Sequence, residues 1–107
     1  MGMDIAEEVY RLTRAFPKEE KFALVDQMRR AAVSIPSNIA EGHARQHSKE
    51  FVQFLYISLG SVAELETQME ICRRLGYVGD KSQIALEKRL AVIGRKLHRL
   101  VQAQPVR

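Results

Sequence analysis

The sequence holds one cysteine, Cys72, and no tryptophan in 107 residues. A lone thiol excludes an internal disulfide and suits a reducing compartment. Three prolines and six glycines are too few for a low-complexity or collagen-like chain. No stretch approaches the roughly 20 apolar residues of a membrane span. The opening MGMDIAEEVYRL places acids where a signal peptide needs a positive charge and then an apolar run. Ala6 stands where N-myristoylation expects Ser or Thr. Walker-type and dinucleotide glycine fingerprints are missing. These absences predict a soluble cytoplasmic protein with no membrane partner and no cofactor.

What is there describes one folded domain over residues 1–107. A hydrophobic content of 46% supports a core rather than disorder, and the length allows a single core. The formal charge is +4, unevenly placed. No acid follows Glu87, whereas Lys88, Arg89, Arg95, Lys96, Arg99 and Arg107 all lie beyond it. Such an end attracts polyanions at long range. A solvated helix end that complements the macrodipole would carry the same residues.

Strong punctuation falls at Phe16-Pro17, from Gly42 to Ser48, and from Gly76 to Asp80. The four segments between have helical periodicity and no strand alternation. The first spans about Asp4 to Ala15. The second opens at Pro17 with Glu19 and Glu20, since proline and acids suit a first turn. Ser48 is the expected cap of the third, which runs to Leu75. Asp80 with Gln83 reads as a capping box for the fourth, and Gly76 and Gly79 bracket the turn before it. The expected fold is all-α, an antiparallel up-down four-helix bundle.

On the third segment Phe51, Leu55, Ser58, Val62, Leu65, Met69 and Cys72 alternate steps of four and three, a seam for packing inside the bundle. Its first half is apolar beyond one stripe. Val52, Phe54, Tyr56 and Ile57 point in directions that one subunit does not bury together, which predicts a homo-oligomer interface. Half-exposed bundle positions are the plainer alternative.

The stretch SIPSNIAEG, residues 34–42, raises a different question. Leu24, Met28, Ala31, Ile35 and Ile39 make an apolar face on the second segment, and Ser34, Asn38, Glu41 and Arg45 line up beside it. Ser61, Glu64 and Gln68 form a matching row on the third. Two such rows predict a polar seam, with Arg30 and Arg45 as cations for Glu41 and Glu64. Pro36 cannot donate to the Ala32 carbonyl and predicts a local bend. Glu41 as a general base lacks a second catalytic group, so no enzyme is expected. His43 and His47 have the spacing of two zinc ligands, but the glutamate of H-E-x-x-H is missing. They fall in a turn, and no metal site is expected.

The fourth segment carries the most suggestive surface pattern. At about 100° per residue, Lys81, Lys88, Arg95 and Arg99 share a narrow stripe, flanked by Arg89 and Lys96. Leu86, Leu90, Ile93, Leu97 and Leu100 face the other way. A basic ridge on a rigid helix suits a run of phosphates, and an ordinary solvated face stays open beside that reading.

QMRRAAVSIPSNIAEGHAR followed by EFVQFLYISLGSVAELETQMEICRRLGYV closely resembles the small bundle proteins encoded in intervening sequences of bacterial 23S ribosomal RNA genes. The resemblance covers Pro17 to Val78. Ser34, Asn38, Glu41 and Gly42 match one motif, and Gly60, Glu64, Glu66 and Gln68 the other. It implies an up-down bundle assembled into a ring, commonly a pentamer. It also implies kinship with the accessory proteins of diversity-generating retroelements, which bind nucleic acid and a reverse transcriptase. The expected function is therefore a non-enzymatic oligomer binding RNA or other nucleic acid, an RNA-associated protein, or both, through basic surfaces, with a nucleic-acid enzyme among the partners the resemblance implies. A protein–protein scaffold without nucleic acid is the alternative.

Overall fold

Apolar residues at helical spacing generate four helices, seen in a computed structural model that describes residues 1–105. Arg107, counted above with the basic end of the chain, lies outside the described residues. Helix α1 spans Met3–Thr13, α2 Leu24–His43, α3 Ser48–Leu75 and α4 Asp80–Ala103, with a short 3-10 turn at Lys18–Glu20. Among the described residues there is no strand. α1 packs on α2 and α4, α3 packs on the same two, and α2 and α4 lie diagonally opposed. The result is the expected four-helix bundle.

The core is drawn from every helix: Ile5 and Val9, Met28 and Ile35, Leu55, Leu65 and Met69, Leu86, Leu90 and Leu97. The seam expected on α3 is buried from Leu55 to Cys72, with Phe51 half-buried at its start. α1 has 11 residues against the 28 of α3, about 16 Å against about 42 Å. It therefore covers only part of the α2–α4 channel. Its start is set by Gly2, buried with φ 90°, where an added Cβ would sit 3.1 Å from Ile93 Cδ1 and 3.2 Å from Ile35 Cγ2.

Several local expectations are corrected. α1 stops at Thr13, whose hydroxyl bonds back to the Val9 carbonyl at 2.7 Å. Pro17 does not open α2. Its backbone is extended, a 3-10 turn follows, and α2 begins only at Leu24 after Ala23 breaks the helical geometry. Glu20 is used elsewhere: it accepts the Tyr77 hydroxyl at 2.8 Å, tying this turn to the α3–α4 connection beside the Phe16–Tyr77 ring contact. Ser48 and Asp80 are first helical residues rather than caps, and neither α3 nor α4 has a side-chain cap bond. Gln83 is buried and donates to Glu87 instead of closing a capping box. Gly76 does take the left-handed conformation, at φ 77°. α2 runs unbroken as a helix through Pro36.

Candidate nucleic-acid interface

The α4 surface follows from its wheel. Leucines and Ile93 turn inward, so every cation of the helix is left outside. Lys81, Lys88, Arg89, Arg95, Lys96 and Arg99 are all exposed. Arg89 comes within 3.7 Å of Asp4 on α1. Among the described residues Lys81, Lys88, Arg95, Lys96 and Arg99 make no ion pair. Lys81 to Arg99 extends about 27 Å along the axis.

Arginines on the other helices are largely engaged. Arg11 holds Glu8, whose carboxyl is pulled below its ordinary range by that hydrogen bond. Arg30 binds Asp26 at 3.0 Å, and Arg45 lies 3.6 Å from Glu41 and 3.9 Å from Glu50. Arg73 and Arg74 share Glu70 at 2.7 and 3.0 Å, lowering its pKa to about 2. Arg29 donates to the Thr13 hydroxyl oxygen at 2.9 Å and lies over the Tyr10 ring. Among the described residues Arg14, Lys18, Lys21 and Lys49 are also without an ion pair, but they fall in the α1–α2 connection and at the start of α3, whereas the five on α4 share one straight helix.

The expected polar seam forms only in its middle. Ser61 donates to Ser34, and Asn38 donates to the same hydroxyl oxygen. That pairing fixes the antiparallel register. Glu41 lies seven residues beyond Ser34, and Glu64 three beyond Ser61 in the opposite direction, so they stand about 15 Å apart along the bundle. They cannot share a cleft. Glu64 accepts from Gln68 within α3, and Arg30, expected to serve these carboxylates, is committed to Asp26. Ser58 was legible only as a seam position. It is fully buried and donates to the Ile35 carbonyl at 3.0 Å, a second α3–α2 bond beside Pro36.

The apolar set on α3 is divided. Tyr56 and Ile57 are 56% and 50% exposed. Val52 is half-buried, and so is Phe54, which lies against Gly42 and under the Arg45 guanidinium at 5.0 Å. His43 packs on Phe51 with ring centroids 4.7 Å apart. Among the described residues no group of three or more His, Cys, Asp and Glu side chains is placed to hold a metal ion. No helix among them is long and apolar enough to cross a membrane. One feature escaped the sequence reading: Ile84 and Val92, 52% and 41% exposed, interrupt the α4 cations. Their position on the same wheel as Lys88 and Arg95 was the available signal.

A profile described as 23S rRNA-intervening sequence protein matches residues 1–99. The fold also superimposes on the crystal structure of a protein with unknown function from the S23 ribosomal protein family of Bacteroides thetaiotaomicron VPI-5482, with TM-score 0.88 and 23% identity over 95% of each chain. At that identity the likeness establishes shared fold alone. No curated protein matches the chain.

Proposed function

The chain belongs to the 23S rRNA-intervening sequence protein family, and from that premise we propose a non-enzymatic, homo-oligomeric RNA-binding bundle whose binding face is the outer side of α4. The observation that carries this reading is the alignment of unpaired cations along one helix. Among the described residues Lys81, Lys88, Arg95, Lys96 and Arg99 make no ion pair and share one helix, while most arginines of α1–α3 hold carboxylates and other unpaired cations, Arg14, Lys18, Lys21 and Lys49, are dispersed. A rigid row of unpaired cations releases counterions when it meets a phosphate backbone. Few aromatics accompany it, which favours structured RNA over sequence-reading of single strands.

Titration of a structured RNA at two salt concentrations tests this. Affinity falls steeply with salt, and the Lys88→Glu, Arg95→Glu, Arg99→Glu triple variant loses most of it at low salt. Absence of binding at low salt, or an unchanged triple variant, removes the proposal.

The oligomer belongs to the same reading and is supported by the exposed Tyr56 and Ile57 on α3, with Val52 and Phe54 at the patch edge. A closed ring, five-membered as the family resemblance implies, would place several α4 faces around one particle. Kinship with retroelement accessory proteins extends the proposal to a nucleic-acid enzyme as partner. Light scattering gives a mass of several chains, and Tyr56→Glu with Ile57→Glu lowers it. A single-copy mass at high concentration removes the oligomer.

A further inference from the structure

A recess of about 300 Å³ opens between α1 and α4 beside the basic row. Met1 and Val92 are its exposed apolar sides, Gly2, Ile5 and Ile93 form its floor, and Lys88, Arg89 and Lys96 stand around it. Ile5 and Ile93 are core residues at 2% and 4% exposure, whereas Val92 is open to solvent. The one acid at the recess, Asp4, faces Arg89 at 3.7 Å, so the surrounding charge is net positive. The volume lies at the small end of sites that hold organic ligands. It is too small for a helix and suits one flat, weakly polar group bearing a phosphate.

We infer that this recess receives a single extruded nucleobase of a bound RNA, the exposed Val92 and Met1 side chains covering its face while Lys88 and Lys96 hold the adjoining phosphates. The inference rests on the RNA reading above and adds to it a preferred substrate: a helix with an unpaired nucleotide rather than a continuous duplex. Position supports the assignment. Val92 lies one turn beyond Lys88 and one turn before Lys96, so a strand following the cations passes over the recess. A bulged base costs less to extrude than a paired one, and aliphatic cover accepts any base because burial of apolar surface is non-directional and uses no edge contacts.

The test compares two RNA hairpins of the same stem, one fully paired and one carrying a single-nucleotide bulge, by fluorescence anisotropy at low salt. The bulged hairpin binds about tenfold tighter, the gain from burying one valine-sized apolar surface. Val92→Gln removes apolar cover at an exposed helical position without changing the charge. It abolishes most of that preference and leaves affinity for the paired hairpin within about twofold. Equal affinity of the wild-type protein for both hairpins, or a preference that survives Val92→Gln, overturns the recess. Failure to bind either hairpin overturns the RNA reading itself.

Discussion

The Ser61 hydroxyl donates across the α2–α3 interface to the Ser34 hydroxyl oxygen at 2.8 Å, and the Asn38 amide donates to the same oxygen at 2.8 Å. One acceptor therefore serves two donors from two helices. Ser34→Ala leaves the Ser61 hydroxyl without its acceptor, while Asn38 keeps its bond to the Ser34 carbonyl at 2.8 Å. It costs about 1–3 kcal/mol, the penalty of an unmade bond at a half-buried site. Ser61→Ala costs about 1 kcal/mol. The double alanine variant costs less than the sum of the two, because the groups are coupled. Urea unfolding measures all three, and strict additivity would show that the bond contributes nothing.

Gly42 and Gly94 respond oppositely to alanine. A Cβ at Gly42 would lie 2.8 Å from Phe51 Cδ1 and 3.0 Å from Phe54 Cβ, while nothing lies within 4 Å at Gly94. Gly42→Ala therefore overpacks the junction and costs about 1–3 kcal/mol. Gly94→Ala stabilises α4 by about 0.4–1 kcal/mol through lost freedom in the unfolded chain. Thermal melts of the two variants shift in opposite directions; equal shifts would refute the packing argument.

Cys72 is fully buried, and its sulfur lies 3.5 Å from the Met28 sulfur. Burial first, then the negative charge of Glu20, push its thiol up to about 11. At pH 8 alkylation by iodoacetamide runs no faster than unfolding, and urea accelerates it through the unfolding transition. Rapid labelling of the folded protein would contradict this packing.

Glu70 titrates at about 2 because Arg73 and Arg74 both donate to its carboxylate. A lowered folded pKa means a contribution present above the ordinary value of 4.5 and lost as pH falls toward 2. The stability difference between the wild-type protein and Glu70→Gln is therefore confined to higher pH. It also shrinks with added salt, because the group is at the surface. Carboxyl-carbon NMR against pH reads the titration directly, and a midpoint near 4.5 would dismiss the bridge.

The bundle was legible because its signals are local. Periodicity gave four helices, and Gly76 marked the left-handed turn after α3. The α2 start was misread because proline followed by acids fits a 3-10 turn as well as a first α-helical turn. The seam was only half legible. Listing Ser34, Asn38 and Glu41 beside Ser61, Glu64 and Gln68 ignores that antiparallel rows coincide at one crossing and diverge on either side. Helical spacing alone sends Phe54 outward because it does not show the neighbour across the interface; Gly42 is small enough to draw it in. The α4 stripe was visible from spacing, but its freedom from pairing needed the other helices in place.

The unequal lengths of the helices set an order of assembly. α2 and α3 share the most extensive interface and are joined by a short link, so their hairpin closes at small entropic cost and is expected to form before the rest. α1, far shorter and resting on the flanks of α2 and α4, docks late and detaches early. Its backbone amides exchange through partial opening, whereas those of the central hairpin wait for the whole chain to unfold.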